Sequence, residues 1–400
     1  MNMQLKDKHI LLGLSGGIAC YKSAELVRLL VKEGATVQVM MSESAQQFIT
    51  AVTMQALSGR PVLTSQWDER EPDNMAHIRA SREADAFVIA PASADMIAKL
   101  ASGRADELMS LTALARPIAR CPLLLAPAMN REMWVHPATQ RNLVQLHADG
   151  AHVLGVGNGA QACGEFGDGR MLEAAEIRDA LIAHFQPKRL AGRKLLITAG
   201  PTFEPIDPVR GITNLSSGKM GFAVARAAAE AGAEVTLVAG PVHLPTPAGV
   251  TRIDVQTAQQ MFDTVHAYID GVDCFVATAA VADWRPVSHA PHKIKKDGRG
   301  QAPSIAMVEN PDILASVAAR ANAPVCVGFA AESERLAEHA RAKLERKKLQ
   351  LVVGNIGPAT FGRDDNALLL VDAKGERELP RADKLTLARQ LVAEIAKLSR

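Results

Sequence analysis

Aromatic side chains are scarce in this sequence, and charge is nearly balanced. Tryptophan, tyrosine and phenylalanine make up 4% of the 400 residues, with only three Trp and two Tyr, and 45 Lys and Arg against 43 Asp and Glu leave a formal net charge of +2. Nucleic-acid binding draws on a basic stripe for phosphates and on aromatic faces for bases. Neither is in supply, so a nucleic-acid partner is excluded. Cysteine is equally sparse: Cys20, Cys121, Cys163, Cys274 and Cys326 are odd in number, widely spaced and free of any CxxC pair. This indicates neither a disulfide framework nor a zinc site, and a reducing cytoplasm is the expected location. Long apolar runs are also missing. Ile10 to Leu14 stops at Ser15-Gly16-Gly17, too short for a signal peptide or a membrane span.

What is present is a repeated plan. Residues 8 to 12 read as a strand, Gly13 to Gly17 as a turn, and the next segment as a helix whose apolar face includes Leu26, Val27, Leu30 and Val31. Gly34 supplies a left-handed stop and Thr36 to Met41 a second strand. Residues 194 to 238 repeat this βαβ unit, with a strand Lys194 to Thr198, a helix Phe222 to Ala231, a stop at Gly232 and a strand Glu234 to Val238. Gly13 to Gly34 spans 21 positions and Gly200 to Gly232 spans 32; the extra residues are polar and turn-rich, at a strand's carboxyl end, where open α/β sheets bind ligands. Further strands are expected at Ala86 to Ala90, Leu123 to Ala126, Phe275 to Thr278, Val325 to Phe329 and Ala367 to Val371. The expected class is α/β, two doubly wound, Rossmann-like domains with mostly parallel sheets, flavodoxin-like in the first half. The Pro- and Gly-containing stretch His184 to Gly192 places the boundary near Lys188, giving domains 1–188 and 189–400.

In the first half, Gly13-Leu-Ser-Gly-Gly-Ile-Ala joins a strand to a helix start. Either it seats a phosphate on free amides or it is an ordinary tight turn. Ala90-Pro-Ala-Ser-Ala-Asp and Ala126-Pro-Ala-Met-Asn-Arg-Glu-Met-Trp close two more strands, so three strand ends would converge. Residues 155 to 171 hold six glycines around Ala162-Cys163-Gly164-Glu165-Phe166-Gly167. Such a segment holds neither helix nor strand well and reads as a mobile flap. Cys121, Cys274 and Cys326 suit small buried hydrophobes, whereas Cys163 does not.

These residues, with His77, resemble the flavin-containing cysteine decarboxylases over most of residues 8 to 172. The resemblance implies FMN bound with the help of Gly13, Ser15, Gly16, Ser42 and Ser93, and His77, Asn130 and Cys163 around the substrate. In such enzymes the flavin oxidises the substrate thiol, carbon dioxide leaves, and hydride returns. By this resemblance Cys163 supplies the proton, His77 assists thiol deprotonation or orientation, and Asn130 holds the leaving carboxylate. Asp95, also assigned to the cofactor site, stands where many members carry Asn.

In the second half, Gly211-Ile-Thr-Asn-Leu-Ser-Ser-Gly-Lys-Met fails as a Walker motif. Six residues rather than four separate its glycines, and Met220 replaces the hydroxyl that would hold magnesium. Ser216, Ser217 and Gly218 still offer amides and hydroxyls to a polyphosphate. Asp283 follows an apolar strand and Lys293-Ile-Lys-Lys lies ten residues on, a pattern that suits magnesium and charge neutralisation, or a solvated loop.

Residues 193 to about 375 resemble phosphopantothenoylcysteine synthetases through Thr198-Ala-Gly-Pro-Thr-Phe-Glu-Pro-Ile-Asp, Asn214-Leu-Ser-Ser-Gly-Lys-Met-Gly, Ala279-Ala-Val-Ala-Asp-Trp, Lys293-Ile-Lys-Lys, Asn310-Pro-Asp-Ile and Gly328-Phe-Ala-Ala-Glu. This implies CTP held by Ala277, Thr278, Ala279, Asp283, Lys293, Asn310, Pro311, Asp312, Ile313, Phe329, Lys343 and Lys347, with Mg2+ (or Mn2+) near Asp283. By the same resemblance 4'-phosphopantothenate attacks the α-phosphorus to give an acyl-cytidylate, and L-cysteine displaces CMP. Asn214 serves that intermediate and Lys293 supports nucleotide and acyl transfer. The fused order is that of the bacterial bifunctional phosphopantothenoylcysteine decarboxylase and phosphopantothenate–cysteine ligase family. The resemblance also implies a homo-oligomer, trimeric through decarboxylase units and dimeric through ligase units, closing as a dodecamer. Two other readings stay open on residues alone: a nicotinamide-dependent oxidoreductase, and a flavin-binding regulatory protein without turnover.

Overall fold

The computed structural model describes residues 3–67, 75–295, 304–332, 334–356 and 362–398. The chain divides into two compact units, Met1–Phe185 and Gln186–Arg400.

Five parallel strands form the sheet of the first unit: β1 (His9–Leu14), β2 (Thr36–Met41), β3 (Ala86–Ala92), β4 (Leu123–Pro127) and β5 (His152–Val153), in the order β2-β1-β3-β4-β5. This is the flavodoxin-like winding, whose order reverses between β1 and β3. Helices cover both faces, so the strands read as continuous apolar runs. Leu12, Val39, Val88 and Leu124 pack on one side, Leu11, Met40, Phe87 and Leu125 on the other. In the helix Cys20–Lys32, Leu26, Val27 and Leu30 are buried, but Val31 is 42% exposed. At 100° per residue Val31 falls about 40° beyond Val27, just outside the stripe of the other three. Gly34 ends the helix at φ +89°, as expected.

The glycine-rich flap departs from expectation. It folds as an antiparallel hairpin of β6 (Gly157–Ala160) and β7 (Phe166–Arg170). Its glycines serve close approach: the Met129 amide donates to the Gly169 carbonyl at 2.9 Å, and a Cβ at Gly169 would lie 2.5 Å from the Met129 oxygen.

The second unit is built on β8 (Lys194–Ala199). A short antiparallel ribbon, β9 (Phe203–Pro205) with β10 (Gly211–Thr213), occupies the insertion expected there. Then come β11 (Glu234–Ala239), β12 (Val250–Asp254) and β13 (Cys274–Ala277), a second ribbon of β14 (Trp284–Pro286) with β15 (Met307–Glu309), and β16 (Val325–Glu332), β17 (Leu351–Ile356), β18 (Asp365–Asp372) and β19 (Gly375–Asp383). The main sheet runs β12-β11-β8-β13-β16-β17-β18-β19, with every neighbouring pair parallel except β17 with β18 and β18 with β19. Its first six strands have the dinucleotide-fold order, reversing between β8 and β13. The helix after β8 begins at Lys219, three residues before the Phe222 expected, because Gly218 takes φ +73° as its N-cap. Gly232 stops it at φ +91°. In the main sheet β12, β17 and β19 have no counterpart among the expected strands.

Candidate active sites

In the first unit the expected cofactor residues lie at the carboxyl ends of the three adjacent strands β2, β1 and β3. The Ser15 hydroxyl donates to the Pro91 carbonyl at 2.8 Å and accepts from the Ser93 amide at 2.7 Å, stapling β1 to β3 at the reversal point. Ser93 is the N-cap of the helix Ala94–Ala101, its hydroxyl accepting from the Met96 amide. Ser42, just after β2, donates its amide to the Leu14 carbonyl at 3.0 Å, and its hydroxyl accepts from the Ala45 amide at 3.2 Å. Gly16 touches the same loop so closely that a Cβ would lie 2.4 Å from the Ser44 Cβ, and one at Gly13 would meet the Met109 sulfur at 2.9 Å. Asp95 points elsewhere: its carboxylate is 76% exposed and pairs with Lys99 at 3.4 Å.

The hairpin brings Asn130 and Cys163 together and adds two residues. Asn130 caps the helix Arg131–Val135, accepting from the Glu132 amide at 2.8 Å. Its side-chain amide contacts the Cys163 sulfur and the Gln161 Oε1, both at 3.4 Å, and donates to the Glu165 carboxylate. The Cys163 thiol lies 3.6 Å from the same Glu165 oxygen and is exposed, whereas the other four cysteines are buried. Burial pushes the Cys20, Cys121 and Cys326 thiols up to about 11, which suits inert packing. His77 sits in the first turn of the helix Ala76–Glu83. Its Nδ1 is buried and has no hydrogen-bond partner among the described residues, and no hydrogen bond there joins it to Asn130 or Cys163.

The second unit holds a cavity of about 570 Å³ at the reversal between β8 and β13. It gathers nearly all the nucleotide residues expected there: Asn214, Ser216, Ser217, Gly218, Ala277, Thr278, Ala279, Asp283, Asn310, Pro311, Asp312, Ile313, Phe329, Lys343 and Lys347. Asn214 donates to the Ala280 carbonyl at 2.8 Å, and Asn310 to the Ala282 carbonyl at 2.8 Å, so two side-chain amides fix the loop that carries Asp283. The helix starting at Lys219 ends its free amides at this cavity. Lys347 pairs with Asp312 at 2.5 Å, and Lys343 donates to the Phe329 carbonyl at 2.6 Å. Burial lowers the Lys343 pKa, and the charge of Lys347 acts in the same direction. Burial works against the Asp312 charge, but the Lys347 contact, the Ala315 amide and the nearby lysines together hold its carboxyl below the usual range. An anionic ligand would relieve the crowding of positive charge.

Lys293 is exposed and does not line the cavity. Its loop is tied down one residue on. The fully buried Asp207 carboxylate accepts from the Ile294 amide at 3.1 Å, the Val209 and Arg210 amides at 2.9 Å and the Arg210 guanidinium at 2.5 Å, while Arg210 donates to the Ile294 carbonyl at 2.8 Å. Arg210 foremost, then these amides, holds the Asp207 carboxyl far below the usual carboxylate range despite burial. Lys296, the last residue of that basic motif, lies outside the described residues.

Similarity to known proteins follows the same division. The flavoprotein family matches residues 1–186, and the DNA/pantothenate metabolism flavoprotein C-terminal domain matches 190–398. The coenzyme A biosynthesis bifunctional protein of Vibrio cholerae is 50% identical over 392 residues, covering 96% of each chain, and that of Escherichia coli K12 is 48% identical over 399 residues, covering 98% of each. The chain belongs to the coenzyme A biosynthesis bifunctional protein family. A crystal structure of such a protein's C-terminal domain is 37% identical, covers 53% of this chain and 97% of the other, and superposes with a TM-score of 0.46.

In this family member, sequence reasoning missed Gln161 and Glu165 beside the cysteine, and Lys219, Glu332, Asn355, Asn366 and Lys384 on the cavity wall. Glu165 stood inside a motif that had already been singled out. Asn355 and Asn366 lie on β17 and β18, outside every motif quoted for the nucleotide.

Proposed function

We propose that the chain ligates L-cysteine to 4'-phosphopantothenate using CTP in residues 189–400, and decarboxylates 4'-phosphopantothenoylcysteine with FMN in residues 1–188. As a member of its family it is a bifunctional flavoprotein of coenzyme A biosynthesis, a carboxy-lyase and a ligase. The observation that carries the fuller reading is the convergence of dispersed motifs on one cavity of the second unit.

FMN fits the first unit: hydroxyls and amides converge at the β1/β3 reversal, Gly16 leaves its loop space too tight for a side chain, and the buried His77 Nδ1 calls for a partner. When bound, FMN supplies reversible two-electron chemistry at the substrate thiol. Ser15, Ser42 and Ser93 orient it, with Gly13 and Gly16 allowing close approach and Asp95 assigned only by position. His77 handles the substrate's thiol proton, Asn130 holds its carboxylate through the side-chain amide, and Cys163 gives the carbon its proton.

In the second unit the phosphopantothenate carboxylate attacks the α-phosphorus of CTP, pyrophosphate leaves, and the cysteine amine then expels CMP. Lys343 and Lys347 face the phosphates, and the Asn214 amide is placed to hold the acyl-cytidylate; Lys293 reaches this chemistry from its anchored loop. Among the described residues no cluster of three metal-ligating side chains is present. Mg2+ or Mn2+ carried in on a triphosphate needs only one or two carboxylates, a role suited to Asp283. It would neutralise phosphate charge as the anhydride breaks.

No helix among the described residues is long and apolar enough to cross a membrane, and we place the protein in the cytoplasm as a homo-oligomer, a dodecamer built from trimeric decarboxylase and dimeric ligase contacts. The test is one assay: phosphopantothenate and cysteine with either CTP or ATP, following pyrophosphate and carbon dioxide. Both products should appear with CTP. No pyrophosphate from phosphopantothenate, cysteine and CTP, while supplied phosphopantothenoylcysteine still yields carbon dioxide, would overturn the ligase assignment alone.

A further inference from the structure

Losing carbon dioxide from a carboxylate leaves a carbon one proton short, and that proton comes ultimately from solvent. If Cys163 delivers it, Cys163 is left a thiolate and must be reloaded before the next cycle. The hairpin turn decides what can reload it. Gln161 N–H donates to the Glu165 carbonyl at 2.7 Å and Gly164 N–H to the Gln161 carbonyl at 2.9 Å, with Gly164 at φ +87°. The turn therefore folds the side chains of Cys163 and Glu165 toward the same Asn130 amide. Three side chains lie within hydrogen-bonding reach of the thiol among the described residues: Asn130 at 3.4 Å, Glu165 at 3.6 Å and Gln161 at 4.0 Å. Two are carboxamides, which exchange no proton near neutral pH. The third is a carboxylate, and Glu165 is exposed to water.

We propose that Glu165 is the proton relay between solvent and Cys163, an inference that rests on the proton-donor reading of Cys163. As the carbon–hydrogen bond forms, the Cys163 S–H bond breaks and leaves a thiolate. The Glu165 carboxylate takes a proton from a buffer acid or hydronium, and its O–H bond then breaks as the S–H bond re-forms. One solvent proton is consumed per carbon dioxide released. Glu165 acts through Cys163 and is a positioning and relay residue.

The test uses full-length, FMN-bound Glu165→Gln with excess phosphopantothenoylcysteine in rapid-quench experiments. The expected result is a burst of one phosphopantetheine per site, followed by turnover at least about 10-fold slower than wild type, because the first proton is already in place. Formate should restore the slow phase in proportion to its concentration, and Glu165→Asp should retain most of the activity. Iodoacetamide labelling of Cys163, read by peptide mass mapping at pH 8 with no substrate present, should be faster in the Gln variant, since the thiolate no longer faces a carboxylate. Turnover at the wild-type rate, or slow turnover with neither burst nor formate rescue, overturns the relay. Cys163→Ser is the separate control: normal turnover there sinks the proton-donor reading itself, whatever Glu165→Gln does.

Discussion

The two units solve ligand binding in opposite ways on related sheets. Both place chemistry at the carboxyl ends of the strands flanking the reversal of strand order, β1 and β3 in one, β8 and β13 in the other. The second unit walls its site with buried lysines, asparagines and a helix start, and the charges needed for a polyphosphate are already inside. The first unit offers hydroxyls and close backbone at the strand ends, while Cys163 and Glu165 ride on an exposed hairpin turned toward Asn130. A triphosphate demands fixed countercharge, which a preformed cavity supplies. On the proposed reading the Cys163 thiol exchanges its proton each cycle, which needs water, and an exposed hairpin supplies it.

If that contrast is right, each half should fail without the other noticing. The largest effect is expected for Cys163→Ser, since a serine hydroxyl is a far weaker acid than a thiol. Phosphopantetheine formation should fall by at least about 100-fold, while FMN binding, flavin bleaching, carbon dioxide release and all of the ligase activity persist. Anaerobic stopped-flow absorbance would follow bleaching without recovery, and mass spectrometry a product two hydrogens short. Next is Asn214→Asp, which adds charge where the proposed acyl-cytidylate would sit. Amide formation should slow by about 100-fold, and acyl-cytidylate should accumulate, detectable by mass spectrometry, with decarboxylation of supplied phosphopantothenoylcysteine unchanged.

These two residues were legible because their motifs are local: Asn214 stands in one turn, and Cys163 in one glycine-rich stretch too polar for a core. The sheet was legible for the same reason, since β3 and β4 are runs with no polar or charged side chain. What escaped was set by contact across the chain. Glycine in β6 and β7 reads as a strand breaker, yet there it lets the hairpin approach Met129. The Gly354-Asn355 pair inside β17 disguised a strand that is paired along its whole length to β16 and at Val352, Val353 and Gly354 to β18. Glu165 carries no signal of its own, because its importance lies in a turn that brings it back to Cys163. Lys293 shows the converse, a residue in a specific motif whose side chain the fold leaves outside the cavity wall.

Smaller effects sharpen the comparison. Lys347→Met removes one cavity charge and the partner of Asp312, so KM for CTP should rise about 10-fold with kcat little changed, the mark of binding lost equally from ground and transition states. Separate fragments 1–188 and 189–400 should each keep their own activity at close to full value; insolubility of both would move the boundary. The smallest change should come from Asp207→Asn. Because the folded carboxyl sits below its unfolded value, its stabilisation is present above an unfolded pKa of about 3.9 and fades as pH falls below it. Thermal melts of the full chain should therefore show the variant less stable than wild type at pH 6 to 8, with the gap closing below about pH 4.

Eight strands in one twisted sheet leave two open rows of backbone donors and acceptors, and such rows recruit strands from other molecules. The last strand, β19, runs Gly-Glu-Arg-Glu-Leu-Pro-Arg-Ala-Asp and lies largely exposed. Proline withdraws a donor, and the glutamates and arginines would have to be stripped of water before another strand could dock. That border is thereby closed to templated aggregation, so the concentrated protein should resist forming fibrils through its largest sheet, and replacing Arg377, Pro380 and Arg381 with valine would open it.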